Sequence, residues 1–152
     1  MPSFSPTAHA PWAVLDTNAT LDWLVFNDPG IVGLRTSIES GQVGWLACQS
    51  MRKELSHMLN HPRLAHWQHN ARAGLEVFDA LSTLVPEPLL GADRFLRCSD
   101  SDDQVFMDLA IAYNACWLVT HDRALLKFAR RARLLGIAVV QPSEWLPKPP
   151  HD

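Results

Sequence analysis

Short runs of apolar residues alternate along this chain with longer segments in which apolar residues recur every three or four positions. The short runs are bounded by polar residues, which is typical of buried strands in a parallel sheet. They span residues 12–15, 43–47, 116–119 and 137–140. The longer segments have the apolar period of an amphipathic helix. They span residues 19–27, 31–40, 49–59, 64–84, 102–113 and 123–135, with a break between the third and fourth helices at Pro62.

This alternation predicts a single α/β domain. Strands joined by helices pair in parallel through right-handed crossovers, with helices on both faces of the sheet, which gives a three-layer α/β/α architecture. Residues 94–98 are a candidate for a fifth strand. The Pro-rich ends place the domain at residues 12–146, between a flexible N-terminal segment, residues 1–11, and a C-terminal tail, residues 147–152.

Length and composition exclude several classes of protein. The 152 residues, of which 47% are hydrophobic and 19% charged, suit one globular domain. The three cysteines form no CxxC pair, which argues against a disulfide framework and favours a reducing compartment. Without an apolar run of about 20 residues or a secretion signal, we expect a cytoplasmic protein. The net charge of −3 means that any nucleic-acid site must be local.

Acidic residues lie near the carboxyl ends of the predicted strands, where open parallel sheets bind their ligands. Asp16 ends the first strand, and Asp122 follows the third. Glu54 lies one turn into the helix after the second strand, and Asp103 lies at the start of the fifth predicted helix. Asp102 is the alternative to Asp103 if the register of that motif shifts.

These acids also have a purely structural interpretation. Asp and Asn are preferred helix N-caps, so Asp16 or Asn18, and Asp122, are candidates to cap the helices that follow them. Glu54 taken alone is typical of a solvated helical residue. Four acids at one edge of a sheet would, however, repel one another without a cation. Carboxylates with few imidazoles suit Mg²⁺ or Mn²⁺, which also bind substrate phosphates, so the pattern indicates metal-dependent phosphoryl chemistry.

Four motifs in this sequence together resemble the PIN domain family in order and spacing. They are Val14-Leu15-Asp16-Thr17-Asn18, Lys53-Glu54-Leu55, Ser101-Asp102-Asp103-Gln104-Val105-Phe106 and Val119-Thr120-His121-Asp122-Arg123-Ala124-Leu125-Leu126. The resemblance extends from Ala13 to Leu146. The bacterial toxin components of toxin–antitoxin pairs are the most similar group.

The resemblance implies a PIN-like parallel sheet of four or five strands and a Mg²⁺- or Mn²⁺-dependent endoribonuclease. It assigns metal binding and catalysis to four acids and a supporting role to two further residues. The acids are Asp16, Glu54, Asp103 and Asp122, and the supporting residues are Asn18 and Thr120. In-line attack by water would leave 5′-phosphate and 3′-hydroxyl ends. The implied partners are RNA, a cognate antitoxin and a second copy of the chain.

RNA has to approach an acidic centre, so basic residues near that centre bear on the prediction. Two basic stretches are present, and the first is also explained as a solvated helix face or as a patch that meets an acidic partner. One is Arg123, Lys127, Arg130, Arg131 and Arg133, and the other is Arg52, Lys53, His57, His61, Arg63, His66, His69 and Arg72. The histidines lack the spacing of a zinc site. Trp67 is a candidate base-stacking platform, and packing beneath the helices explains it as well.

The main alternative is a catalytically silent PIN-like module that binds RNA or protein. Other families that place an Asp after the first strand fit less well. A haloacid dehalogenase phosphatase needs a second Asp where Asn18 stands, and no glycine fingerprint of a dinucleotide module follows the first strand. The apolar residues Trp23, Val25 and Phe26 are explained either by self-association or by a buried helix face.

Overall fold

Five short apolar segments form one parallel sheet. The structure is a computed structural model that describes residues 10–89 and 101–150. The strands are β1 (Trp12–Leu15), β2 (Gly44–Ala47), β3 (Ser82–Leu84), β4 (Trp117–Val119) and β5 (Ala138–Val140). Their order in the sheet is β3-β2-β1-β4-β5. The central strand is therefore β1, in which Ala13 is in register with Trp45 on one side and Trp117 on the other.

Helices cover both faces of the sheet. They are α1 (Thr17–Leu24), α2 (Val32–Glu39), α3 (Gln49–Leu59), α4 (Gln68–Leu81), α5 (Ser101–Ala112), α6 (Arg123–Leu126) and α7 (Ala129–Arg133), with 3₁₀ helices at Pro29–Ile31, Pro62–Trp67 and Pro142–Glu144. Helices α1, α3 and α4 contact one another, whereas α5 packs on β1 and β4, and α7 packs on β5. Because crossovers in parallel sheets are right-handed, these two groups lie on opposite faces. The predicted three-layer α/β/α fold is confirmed.

The four strands predicted from the sequence are present, but the helix predicted over residues 64–84 was wrong at its end. Helix α4 ends at Leu81, and Ser82–Leu84 forms the edge strand β3. The Ser82 hydroxyl donates to the Phe78 carbonyl at 2.6 Å and closes the helix. The β-branched Thr83 then favours extended backbone. The candidate strand at residues 94–98 lies outside the described residues, as do residues 1–9 and 151–152 of the predicted terminal segments.

The single helix predicted over residues 123–135 was also wrong. Two short helices, α6 and α7, replace it, because the chain turns at Phe128 and buries the ring of that residue. The turn keeps Leu125 and Ala132 in the core together with Phe128. The helix break predicted at Pro62 is confirmed, since a 3₁₀ helix separates α3 from α4 there.

Aromatic side chains form much of the core beneath α1 and α4. Trp45 is almost fully buried, stacks on Trp23 with ring centroids 4.8 Å apart and meets Phe78 edge to face at 5.1 Å. Trp23 and Val25 are buried, whereas Phe26 is exposed. The buried helix face is therefore the correct explanation for two of the three residues considered for self-association.

The two described cysteines, Cys48 and Cys116, are buried free thiols. Cys98 lies outside the described residues. Among the helices of residues 10–89 and 101–150, none combines the length and the apolar content that crossing a membrane would require.

Gly44 faces Trp12 across the β1–β2 pair and leaves no room for a side chain. A Cβ atom at Gly44 would lie 2.6 Å from two ring atoms of Trp12. We expect Gly44→Ala to lower the free energy of unfolding by about 1–3 kcal/mol through overpacking, measured by urea denaturation. Gly33→Ala in α2 is the matched control. Nothing lies within 4 Å of a Cβ there, so this change is expected to stabilise by about 0.5–1 kcal/mol. Equal stability of the two variants would contradict the prediction.

Candidate active site

The candidate site lies where the strand order reverses. From β1 the chain continues to β2 and β3 on one side of the sheet, whereas β4 and β5 lie on the other side. In open parallel sheets this switch point leaves a crevice outside the carboxyl ends of the two central strands, and ligands bind there. Asp16 directly follows β1, and Thr120, His121 and Asp122 follow β4. Two of the four predicted acids therefore lie at this crevice.

Asp16 is a buried carboxylate, with 5% of its surface exposed. Its Oδ1 accepts a hydrogen bond from the N–H of Ala19 at 2.8 Å, so Asp16 is the N-cap of α1. The backbone N–H of Asp16 donates to the carbonyl of Val119 at 3.0 Å, and its carbonyl accepts from the Thr20 hydroxyl at 2.8 Å. The capping interpretation of Asp16 is confirmed. The same cap fixes the carboxylate at the end of the central strand.

Thr120 joins Asp16 to Asp122. The Thr120 hydroxyl is completely buried, donates to Oδ2 of Asp16 and accepts from the backbone N–H of Asp122 at 2.9 Å. Oδ1 of Asp122 accepts from the N–H of Ala124 at 2.8 Å and caps α6. One hydroxyl therefore links the Asp16 carboxylate, which follows β1, to the backbone of Asp122, which follows β4 and whose own carboxylate caps α6.

The electrostatic environment of Asp16 disfavours its charged form. Burial raises the pKa of Asp16, and the opposing effects of the hydrogen bonds from Thr120 and Ala19 and of the nearby His121 offset this only in part. Removing a carboxylate from water penalises the ionised state, because the interior solvates charge poorly. An additional positive charge beside Asp16 would therefore stabilise its ionised form.

His121 ties the loop after β4 to α1. Its Nε2 shares a hydrogen bond with Oδ2 of Asp22, an acid that the sequence analysis did not identify. The His121 side chain is 42% exposed, so the pair contributes at most about 1 kcal/mol to stability. Its importance is geometric, because it fixes the segment that carries Asp122 against the helix that Asp16 caps.

The other predicted residues lie on helices that start at this edge of the sheet. Glu54 is an exposed residue in the second turn of α3, and Asp103 is a half-buried residue in the first turn of α5. Asn18 is exposed in the first turn of α1. Asp100 and the side chain of Asp102 lie outside what the structure describes.

The two carboxylates at the crevice suit a hard divalent cation. Both oxygens of Asp16 accept hydrogen bonds, from Ala19 and Thr120, and Oδ2 of Asp122 accepts none from the described residues. Within residues 10–89 and 101–150 no three Asp, Glu, His or Cys side chains lie together as a complete metal cluster. Mg²⁺ is commonly held by one or two carboxylates, with water and substrate phosphates as its other ligands, so this donor set fits such an ion.

The sequence analysis missed an acid that follows β3. Oε1 of Glu87 accepts from the backbone N–H of Ser50 at 2.8 Å, at the N-terminus of α3. Partial burial raises the pKa of Glu87, but hydrogen bonds with Cys48 and Ser50 lower it overall. The acid was missed because β3 itself was assigned to a helix. The signal in the sequence was a short strand that ends just before Pro86-Glu87.

A buried polar pair in α5 was also missed. The Gln104 amide donates to Oδ1 of Asp108 at 2.9 Å, and both side chains are buried on a helix that packs on β1 and β4. Their spacing of four residues inside an otherwise apolar segment was the signal in the sequence. Buried polar pairs of this kind help to fix the position of a helix against its neighbours.

Comparison with known proteins supports this description of the fold. The sequence matches the PIN domain family over residues 13–124. The structure is similar to that of VapBC2 from Rickettsia felis bound to a DNA fragment from its promoter, with a TM-score of 0.56 and 15% identity over 86% of this chain and 97% of that chain. It is also similar to PAE2754 from Pyrobaculum aerophilum, with a TM-score of 0.56 and 19% identity over 86% of this chain and 84% of that chain. No curated protein sequence matches.

A three-layer fold with acids at the switch point of its parallel sheet defines the class of protein. The chain belongs to the PIN domain family, since the match extends from β1 to the residues that follow Asp122. The resemblance inferred from the four sequence motifs is therefore confirmed. The similarity to the two solved structures concerns the fold alone.

Proposed function

We propose that this protein is a metal-dependent endoribonuclease and the toxin component of a toxin–antitoxin pair. The observation that carries the proposal is the hydrogen-bonded connection from Asp16 through Thr120 to Asp122. It fixes the buried carboxylate of Asp16 and the backbone of Asp122 in the segments that follow β1 and β4, at the edge where open parallel sheets bind ligands. Membership of the PIN domain family supports the same conclusion.

In this proposal Asp16 and Asp122 are the main ligands of Mg²⁺ or Mn²⁺, and Asp103 contributes to the same acidic site. A divalent cation there would lower the pKa of a water molecule and stabilise negative charge on the scissile phosphate. Thr120 positions both carboxylates, and Glu54 orients the attacking water. Asn18 supports the site from the first turn of α1.

The proposed reaction needs no nucleophilic side chain. A water oxygen forms a bond to phosphorus while the bond from phosphorus to the 3′ oxygen breaks, and the departing oxygen takes up a proton. The products then carry a 5′-phosphate and a 3′-hydroxyl. The 2′-hydroxyl plays no part in this route, so cyclic phosphates are not formed.

The proposal extends to partners. A cognate antitoxin is the expected protein partner, supported by the similarity of the fold to VapBC2. A homodimer acting on RNA in the cytoplasm completes the proposal. Co-purification with this chain tests the antitoxin, and light scattering of the isolated chain tests the homodimer.

The test is cleavage of a panel of structured RNAs by the purified protein with Mn²⁺, with Mg²⁺ and with EDTA. We expect metal-dependent cuts with 5′-phosphate ends. Asp122→Asn should lower the rate at least about tenfold, because Asn retains the cap to Ala124 but loses the charge. Asp28→Asn is the matched control, since Asp28 is an exposed cap that accepts from Gly30 in a 3₁₀ helix.

Two outcomes would contradict the proposal. Cyclic phosphate ends, or cuts that persist in EDTA and in Asp122→Asn, would exclude the metal-dependent route. A folded, partner-free protein that binds RNA without any metal-dependent cleavage would instead be the silent binding module.

A further inference from the structure

We infer that the exposed surface of α6 and α7 binds the phosphate backbone of single-stranded RNA and leads the strand to the crevice. The basic surface, as we call it, is defined by five side chains. They are Arg123, Lys127, Arg130, Arg131 and Arg133. The inference rests on the proposed function for the identity of the polymer, whereas the location of the surface follows from the charge, the exposure and the position of these side chains.

Charge along the chain is unevenly distributed. Residues 123–143 contain the five cations of the basic surface and no Asp or Glu. The remaining eight Lys and Arg residues accompany all sixteen Asp and Glu residues elsewhere in the chain. Every other stretch of the chain without an acid carries at most two Lys or Arg residues, so positive charge is most concentrated here, as a local polyanion site on an acidic protein requires.

Every exposed side chain from residue 123 to residue 133 is basic. Leu125, Phe128 and Ala132 are buried and anchor the two helices to the core. Protein interfaces have an apolar, desolvated centre with charged residues depleted from it. The five side chains include no apolar one, and the exposed Leu134 and Leu135 follow at the C-terminal end of α7 rather than at their centre. The composition of the basic surface therefore favours a phosphate backbone over a protein partner.

Most cations of the basic surface are available to a ligand. Within residues 10–89 and 101–150, four of them form no ion pair: Arg123, Lys127, Arg130 and Arg133. The guanidinium of Arg131 lies over the ring of Phe128, 5.0 Å from its centroid. This contact orients the cation at the surface without neutralising its charge.

The second basic stretch, around Glu54, differs in this respect. The guanidinium of Arg52 donates to both carboxylate oxygens of Asp79, at 2.7 and 2.8 Å. This two-bond contact between α3 and α4 engages the guanidinium in the protein itself. Three Lys and Arg residues of that stretch remain, Lys53, Arg63 and Arg72, beside the acid Glu54, against five on α6 and α7 without an acid. The concentration of positive charge therefore favours the basic surface.

The position of the basic surface connects it to the candidate site. Arg123 immediately follows Asp122, the N-cap of α6. At the other end, Arg130 and Arg133 line a hollow of about 280 Å³ between α7 and β5. Side chains three residues apart on a helix have Cβ atoms about 5–6 Å apart, so two guanidinium groups can engage one phosphate or adjacent phosphates.

The test measures RNA binding in EDTA, so that binding is separated from cleavage. The probe is a fluorescein-labelled oligouridine of about 20 nucleotides, followed by anisotropy over a range of NaCl concentrations. Arg123, Lys127, Arg130 and Arg133 are changed together to Gln in the first variant. Lys53, Arg63, Arg72 and Lys148 are changed to Gln in the control variant, which loses the same charge elsewhere.

We expect the first variant to bind at least about tenfold more weakly near 0.1 M salt, and the control to bind within about twofold of the wild type. The plot of log affinity against log salt should become less steep, by about 0.7 in slope for each phosphate contact removed. Thermal unfolding checks that each variant is folded. If the fourfold variant does not fold, the double variant Arg130→Gln with Arg133→Gln is measured instead. It should show about half of the reduction in the salt slope.

The inference is overturned if both variants weaken binding equally, if neither does, or if the wild type does not bind the oligouridine. Binding of poly-L-glutamate through these cations, without RNA binding, would assign the basic surface to an acidic protein partner instead. Failure of the proposed nuclease function would be recognised differently. RNA binding in EDTA would still depend on the basic surface, but no metal-dependent cleavage would occur.

Discussion

Asp16→Asn is expected to abolish metal-dependent RNA cleavage and, at the same time, to raise the free energy of unfolding at neutral pH. Cleavage is lost because Asn cannot supply the charge that holds the proposed cation. A loss of several kcal/mol of charge stabilisation corresponds to a rate at least about a hundredfold lower. Stability rises because Asn retains an oxygen to cap α1 at Ala19 and can donate its amide to the Thr120 oxygen in place of the hydrogen bond that Asp16 accepts, while the buried charge is removed.

The pH dependence of this stabilisation has a definite sign. Burial raises the pKa of Asp16 in the folded state, so the folded protein binds this proton more tightly than the unfolded chain does. The resulting contribution to stability is complete at acidic pH and is lost as the pH rises through the folded-state pKa. Asn does not titrate, so the stability gained by Asp16→Asn should grow from acidic to neutral pH.

Urea denaturation in EDTA at several pH values measures the stability, and cleavage with Mn²⁺ measures the activity. The control is Asp28→Asn, which also replaces a capping acid but in an exposed position outside the site. It should leave the rate of cleavage unchanged. A variant Asp16→Asn that is less stable than wild type at neutral pH would show that Asp16 is primarily a structural residue.

Thr120→Val is expected to lower both stability and activity. Val has nearly the shape of Thr but lacks the hydroxyl, so the buried Oδ2 of Asp16 loses its donor and the partly buried N–H of Asp122 loses its acceptor. An unsatisfied buried polar group costs about 1–3 kcal/mol. Activity should fall about tenfold to a hundredfold, as is usual when a group that positions a metal ligand is removed.

Thr120→Ser is the matched variant, because Ser retains the hydroxyl and loses only a methyl group. It should recover most of the cleavage rate and most of the affinity for Mn²⁺, measured as the rise in melting temperature on titration with the metal. If Thr120→Val and Thr120→Ser lose cleavage to the same extent, the hydroxyl does not position the carboxylates.

The sequence predicted the site best where the signal is local. Asp16, Thr120 and Asp122 follow apolar runs directly, and a strand followed by a capping acid is a pattern of a few adjacent residues. The resemblance to the PIN domain family then identified these residues together. Their convergence could be predicted, because the carboxyl ends of parallel strands meet at one edge of the sheet.

The sequence could not show contacts between distant segments. The partner of His121 is Asp22, 99 residues away, and no local pattern indicates that pairing. Likewise, Glu87 was hidden because a three-residue strand such as β3 is too short to show a period of its own. The break between α6 and α7 depends on the burial of Phe128, which tertiary packing decides.

Three contacts join the end of β4 and the loop after it to Asp16 and α1, and they have a further consequence. The N–H of Asp16 bonds Val119, the hydroxyl of Thr120 bonds Asp16, and His121 bonds Asp22, all within the protein alone. The two carboxylates are thus preorganised during folding, and an arriving cation would not have to gather them from mobile loops. A frame this rigid discriminates between cations by ionic radius, so the site is expected to accept small Mg²⁺ and Mn²⁺ ions and to exclude the larger Ca²⁺.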